Sequence, residues 1–399
     1  MQLLWTTLLL PTLAVTAPAP ADREAPVLIP RGSAASQLIE GSYIVKLKDG
    51  STDAALQNTA KGLPSGGCQK CVSYYCFWFC SYLLTPSSPP RQVEYIEQDA
   101  TVQAYDLITQ GPSPSGDAVP WGLARIAHRS PRQSTYVYDS SAGEGTCSYI
   151  IDTGIFVNHT DLSPRAQWLA NFIDTDNTDG NGHGTHVAGT IGGTRFGVAK
   201  KTSLYAVKVL RASGSGTLAA VIAGIDFVAS DHRTRNCPNG AVANLSLGAS
   251  RSTAVNAAAA AAVGAGVFLS VAAGNSADDS FFYSPASEET VCTVGATDEG
   301  DARAWFSNYG SLVDVFAPGV AVESAWIGGG GDATNTISGT SMAAPHVAGL
   351  ASYLLTLSGP KTPAELCEYI KTTSTNGTIT DLPEGTFNGV AFNGNPGAL

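Results

Sequence analysis

Residues 241–272 read AVANLSLGASRSTAVNAAAAAAVGAGVFLSVA. Ala241 to Leu247 is a short apolar run of strand length. Thr253 to Val263 is alanine-rich and suits a helix, Gly264 and Gly266 stop it, and Val267 to Ala272 is a second apolar strand. A helix that ends at glycine and passes into a buried strand accounts for this apolar stretch better than a membrane span. Strands apolar along their whole length, joined through a helix, predict parallel pairing with both sheet faces covered. The alternation recurs on either side. Cys147 to Ile151 is an apolar run ending at Asp152, and His186 to Gly192 begins a helix. Ser203 to Leu210 and Val291 to Gly295 read as strands, Thr217 to Ser230 and Met342 to Leu357 as helices. The predicted class is α/β, a mostly parallel sheet with helices on both faces. Such sheets bind ligands at the carboxyl ends of their strands.

Composition agrees with a compact, turn-rich protein: of 399 residues, 44% are apolar, 14% are charged and 43 are glycine. A net charge of −11 repels phosphate, which excludes nucleic acid as a partner and opposes binding to an anionic membrane surface. At the start, Leu3 to Val15 is apolar and uncharged, followed by small residues from Thr16 to Ala21. That run is too short to cross a bilayer and reads as an export signal over residues 1–17, so the protein is expected to be secreted and extracellular. Tyr43 to Lys48 and Val93 to Ala100 read as strands, and Asp53 to Ala60 suits a short helix. The Gly/Pro/Ser stretch Gly111 to Gly116 marks a boundary. It divides a small α+β segment, 18–110, from the main domain, 111–399.

Eight cysteines fall into two groups. Cys147, Cys237, Cys292 and Cys367 are spread through the main domain of an exported chain, which predicts two disulfides. Cys68, Cys71, Cys76 and Cys80 crowd into one aromatic-rich run.

Four motifs fall at predicted strand ends or helix starts. In Ile150-Ile151-Asp152-Thr153-Gly154, a carboxylate leaves a buried strand, where it can hold an imidazole in one tautomer. The same tripeptide occurs in aspartic peptidases, but the second copy they require is absent. In Asn181-Gly182-His183-Gly184-Thr185-His186-Val187-Ala188-Gly189, glycines flank His183 at a helix start. A zinc pair of His183 and His186 is the competing reading, though the spacing and the missing glutamate depart from the zinc-peptidase helix. His186 and His346 are expected in the core. Asn275, after Val271-Ala272-Ala273-Gly274, can offer an amide to a developing oxyanion. Ser341, in Ser338-Gly339-Thr340-Ser341-Met342-Ala343-Ala344-Pro345-His346, opens a helix whose N–H groups favour negative charge. Together they suit acyl transfer: Ser341 attacks, His183 takes its proton, Asp152 orients the imidazole, and Asn275 holds the oxyanion.

The chain order Asp152, His183, Asn275, Ser341 is that of subtilisin. From Val119-Pro120-Trp121-Gly122-Leu123-Ala124-Arg125-Ile126 to about Phe392, the chain resembles a fungal subtilase of the proteinase K family. Gly197-Val198-Ala199-Lys200-Lys201-Thr202 and Phe306-Ser307-Asn308-Tyr309-Gly310 carry the resemblance between the motifs. It implies a subtilisin-like serine endopeptidase made as a zymogen, monomeric, with an inhibitory propeptide as its partner besides protein and peptide substrates. It implies a P1 pocket lined by Ser246, Leu247, Gly248, Ala272, Ala273 and Gly274, open and uncharged, favouring large apolar or aromatic side chains. Ser213, Gly214, Ser215 and Gly216 would pair with substrate as an added strand. Leu218 stands at the outer subsite, where the family often has an aromatic. The implied disulfides are Cys147–Cys237 and Cys292–Cys367, and Val187 replaces a family cysteine. Catalysis would need no cofactor. A structural calcium would take the Asp314 carboxylate and the carbonyls of Glu289 and Val291, whereas a second site has Thr378 in place of its aspartate.

Two rivals belong to other classes: an inactive relative that only binds peptides, and a metal-dependent hydrolase. Asn158 and Asn376 begin glycosylation sequons, while Asn244 begins one inside a buried strand. The leading segment fits the family's prodomain at its flanks only. Between them the fold needs two more strands and a second helix. The Cys/aromatic run and Pro89-Pro90 stand there instead, with a metal knuckle as one reading. The expectation is that the transcript encodes a different segment from about Lys61 to Arg91, and that the chain as written matures poorly.

Overall fold

The computed structural model describes residues 26–28, 38–48, 51, 68–72, 77–81, 93–104, 108–109 and 119–395. The export signal, the 53–60 helix and most of the 61–91 stretch lie outside the described residues.

The main domain is built on a nine-stranded sheet. Its middle runs Val315–Pro318, Cys292–Thr297, Val267–Ala272, Ala241–Leu245, Cys147–Asp152, Ser203–Lys208 and Ala166–Asn171, every neighbouring pair parallel. The short Thr375–Asn376 and Gly389–Val390 strands pair antiparallel at one edge. Central strands such as Cys147–Asp152 and Val267–Ala272 are buried at every position, which is why they do not alternate in sequence. Helices His183–Gly192 and Thr340–Ser358 pack into the core on one face; Leu218–Asp231 and Thr253–Gly264 pack into the core on the other. The subtilisin-like α/β architecture expected from the sequence is present.

Three details differ from the expectation, each bearing on the site. The helix after the histidine motif begins at His183 itself, with Gly182 (φ 104°) before it. The run from Ala241 to Leu247 is two strands, Ala241–Leu245 and Leu247–Ser250, broken at Ser246. The strand read over Val93 to Ala100 extends to Ala104. Its extension pairs antiparallel with both Ser215–Thr217 and Leu247–Ser250, neither of which belongs to the main sheet.

The leading segment forms its own sheet around that strand. Leu38–Leu47 pairs antiparallel with Val93–Ala104 on one side and Phe77–Ser81 on the other, and Cys68–Val72 pairs with Phe77–Ser81. The Cys/aromatic run thus contributes the two further strands that seemed lacking from the sequence. Val72 on the first strand and Phe77 and Phe79 on the second have ordinary strand propensity, which the cysteine spacing obscured. Val93–Ala104 thus pairs at once with the leading segment's strands and with two short strands of the main domain.

Candidate active site

Asp152 is the last residue of its strand and His183 the first of its helix, and the two meet. Asp152 Oδ1 and His183 Nδ1 are 2.7 Å apart, with both side chains fully buried. The backbone N–H of Thr153 also donates to Asp152 Oδ1 at 2.7 Å, which fixes the carboxylate. The glycine after His183 is required sterically: a Cβ on Gly184 would lie 2.1 Å from the carbonyl oxygen of Gly154. Asp179 secures the approach to the helix by accepting from the N–H groups of Asn181, Gly182 and Thr185.

Ser341 stands in the first turn of the Thr340–Ser358 helix, which follows the Thr334–Ser338 strand through Gly339. Its Oγ donates to the carbonyl of Ser246 at 3.1 Å, and the Ser246 hydroxyl donates back to the Ser341 carbonyl at 2.7 Å. The strand break at Ser246 is therefore tied directly to the serine. Asn275 lies on the same side. Its Oδ1 accepts from the N–H of Thr340 at 2.9 Å and from the Thr340 hydroxyl at 2.8 Å. With its oxygen held there, the amide turns its NH2 end away from Thr340.

The residues expected to line the substrate cleft are brought together. Ser215, Gly216 and Thr217 face Gln103, Val102 and Thr101 across one ladder, and Leu247 and Gly248 face Ala104 and Gln103 across the other. Ser213 and Ser215 share a hydrogen bond between their hydroxyls, Gly214 has φ +77°, and Leu218 is fully buried at the start of its helix. Ala272 and Ala273 are buried, and Gly274 donates its N–H to the Thr340 hydroxyl.

Two positioning residues escaped the sequence reading. Thr340 links Gly274 to Asn275 through one hydroxyl. Asn308 donates to the Ala273 carbonyl and accepts from the N–H groups of Ser276 and Asp278, tying down the loop that carries Asn275. The SGTS and FSNYG stretches hold both residues, but a side chain that only holds a loop or another side chain in place has no chemical signature of its own.

The two other histidines of these motifs, His186 and His346, sit in the core. His186 Nε2 is 3.0 Å from the Val322 carbonyl, and its ring meets Trp326 edge-on; burial lowers its pKa to about 3. His346 Nδ1 is 2.8 Å from the Met342 carbonyl, and burial lowers its pKa to about 4. With His183 bound to Asp152 and His186 to a carbonyl on another strand, the pair does not assemble as metal ligands. Val187 is a fully buried core residue.

Both expected disulfides are formed, Cys147–Cys237 and Cys292–Cys367. Asp314 precedes the Val315–Pro318 strand, with Val291 and Glu289 just ahead of the neighbouring Cys292–Thr297 strand. One oxygen of Asp314 accepts from the N–H of Thr293, and the other faces Lys371 Nζ at 3.5 Å. Calcium takes six to eight oxygen ligands. Asp314 is the one carboxylate in the expected set beside the carbonyls of Glu289 and Val291, and with its oxygens already engaged by an N–H and an ammonium it fits the ion poorly.

A parallel α/β sheet, with a buried aspartate–histidine pair and a helix-borne serine at the strand ends, defines a serine hydrolase of the subtilisin kind. Residues 143–390 match the Subtilase family, and the chain belongs to it. Subtilases are serine proteases that hydrolyse peptide bonds without a catalytic cofactor. The chain is 49% identical over 387 residues to the subtilisin-like serine protease AsES of Sarocladium strictum, covering 96% of this chain and 97% of that protein. It is 48% identical to a cuticle-degrading protease of Metarhizium anisopliae, covering 97% and 98% of the two chains. Proteinase R of Parengyodontium album is 47% identical, covering 95% of each. The crystal structure of a cold adapted subtilisin-like serine proteinase matches with a TM-score of 0.65 at 42% identity, covering 69% of this chain and 98% of that one.

Proposed function

We propose that the chain is a secreted endopeptidase made as a zymogen, and that its first substrate is its own leading segment. The observation that carries this reading is the seat of the Val93–Ala104 strand. Gln103 lies opposite both Ser215 and Gly248, with Ala104 opposite Leu247. The described strand ends at Ala104, opposite Leu247, the chain neighbour of Ser246, whose carbonyl accepts from Ser341. Beyond it, Ile108 and Thr109 pair with Ser338 and Ile337, on the strand that leads to Ser341. A peptide held as a strand on both sides of the serine lies as an uncut substrate would. The bond proposed for cleavage is Tyr105–Asp106, slightly ahead of the Gly111 to Gly116 boundary.

In the reaction, His183 removes the proton from Ser341 Oγ as the oxygen attacks the Tyr105 carbonyl carbon. Asp152 holds the imidazole through Nδ1 and stabilises its positive charge. The oxyanion is held by the Asn275 amide and the Ser341 backbone N–H. Protonated His183 then gives its proton to the departing nitrogen of Asp106, and water releases the acyl group by the same steps reversed. Protein substrates follow the same route once the strand has left the cleft.

The P1 preference is for large apolar or aromatic side chains. The lining from Ser246 to Gly248 and Ala272 to Gly274 carries no charge, and Tyr105 in the processing site is itself aromatic. Leu218 sets the outer subsite. The two disulfides suit an oxidising compartment, and the apolar Leu3 to Val15 suits export. Asn158 and Asn376 are exposed and open to glycosylation, whereas Asn244 is fully buried. The enzyme acts as a monomer.

Hydrolysis of denatured protein should be lost on reaction with an organophosphonate and should persist in EDTA. Loss in EDTA with indifference to the phosphonate would favour a metal-dependent hydrolase and overturn the proposal.

A further inference from the structure

We infer that Lys371 supplies, from within the protein, the positive charge that the Asp314 corner would otherwise draw from a bound calcium ion. Asp314 is tethered on both of its polar sides. Its backbone N–H donates to the Thr293 carbonyl, and Oδ2 accepts from the Thr293 N–H, each at 2.9 Å. Oδ1 faces Lys371 Nζ at 3.5 Å.

The ammonium is held from two directions. Lys371 stands in the last turn of the Pro363–Thr373 helix, and Nζ also lies 5.2 Å from the centroid of the Phe387 ring. A cation between a carboxylate and an aromatic face gains from both. Cys367 stands four residues earlier on the same helix, so it shares a face with Lys371. Its disulfide to Cys292 ties the helix to the strand beside Asp314. The covalent bond and the ion pair thus dock one helix face onto one sheet edge.

The other donors do not favour a dication. The sulfurs of Cys292 and Cys367 lie close to the Asp314 oxygens, but they are bonded to each other and offer no thiolate. Glu368 adds negative charge nearby from an exposed position, which favours the lysine's positive charge as it would a metal's. A calcium ion bound directly to Oδ1 would lie within a few ångströms of the Lys371 ammonium, where two positive charges repel. Calcium and lysine compete for one oxygen, and in this chain the lysine is permanent.

The test is thermal unfolding of the mature enzyme, its Ser341 blocked by a sulfonyl fluoride to stop self-digestion, in calcium and in EDTA. Wild-type midpoints should coincide. Lys371→Met should unfold about 2–4 °C lower in EDTA and recover in calcium, as expected for a modest stability change in a domain of this size. Adding Asp314→Asn to that variant should abolish the recovery, and Lys371→Arg should remain indifferent to calcium. A Lys371→Met protein whose midpoint ignores calcium would overturn the inference. So would a wild-type midpoint that falls in EDTA, with the fall abolished by Asp314→Asn.

Discussion

Glu97 accepts a hydrogen bond from the backbone N–H of Ala254 at 2.9 Å, across the seam between the leading segment and the main domain. Its other oxygen accepts from the Ser252 hydroxyl, the N-cap of the Thr253–Gly264 helix. Two residues on, and so on the same face of the strand, Asp99 accepts from the N–H of Ala219 at 3.3 Å, at the start of the Leu218–Asp231 helix. Two carboxylates on one strand therefore cap two helices, where anions are favoured.

Both carboxyls are buried, and burial raises both pKa values, Asp99 from 3.8 to about 6. A group whose pKa is higher in the complex contributes binding that is whole below its free pKa and is lost as pH rises through its bound pKa. For Asp99 the window runs from 3.8 to about 6. The separated leading segment should inhibit the mature enzyme progressively less well across that window, by about 10- to 100-fold. Inhibition constants measured between pH 4 and pH 7 check this, and Asp99→Asn should flatten the profile. A constant affinity, or one that tightens with pH, would contradict it.

Thr340 holds Asn275, the residue proposed to bind the oxyanion. Asn275→Ala should lower turnover by about 10²–10³-fold, a magnitude established on subtilisin itself and carried here by kinship. Thr340→Val removes the hydroxyl that donates to Asn275 and accepts from Gly274. It should lower kcat by less than Asn275→Ala does, with KM little changed. Steady-state kinetics on one chromogenic peptide separates the two, and an unchanged kcat in Thr340→Val would show that Asn275 is positioned otherwise.

Gly274, proposed to line the P1 pocket, tolerates no side chain. Its φ is +110°, and a Cβ there would lie 2.3 Å from Asn308 Nδ2. Gly274→Ala should therefore cost activity by moving the Asn275 loop, and Asn308→Ala should act in the same direction. In a peptide library the wild type should cut after Phe, Tyr, Leu and similar residues. Cleavage mainly after Lys or Arg would refute the pocket assignment.

The parallel sheet was legible because its strands are buried on both faces and read as unbroken apolar runs. Asp152, His183, Asn275 and Ser341 were legible because each lies near a strand end or helix start, within two residues of a glycine. Three features were hidden for physical reasons. Ser246 breaks one strand into two through its bonds with Ser341, a contact between residues distant in sequence. The Cys68–Val72 and Phe77–Ser81 strands lie in a run whose crowded cysteines and aromatics read as a metal knuckle or as a segment the transcript does not encode. Lys371 reads as an ordinary helix-surface lysine until the fold sets it against Asp314.

The central claim is that Ser341 cuts the chain's own strand after Tyr105. N-terminal sequencing of the secreted protein, produced in parallel with Ser341 and with Ser341→Ala, tests it most directly. The account predicts a first new N-terminus at Asp106 in the wild type. The Ser341→Ala protein should keep its leading segment, uncut and bound. Processing of the Ser341→Ala chain at the same bond, or a wild-type chain secreted in active form with its leading segment uncut, would contradict the account.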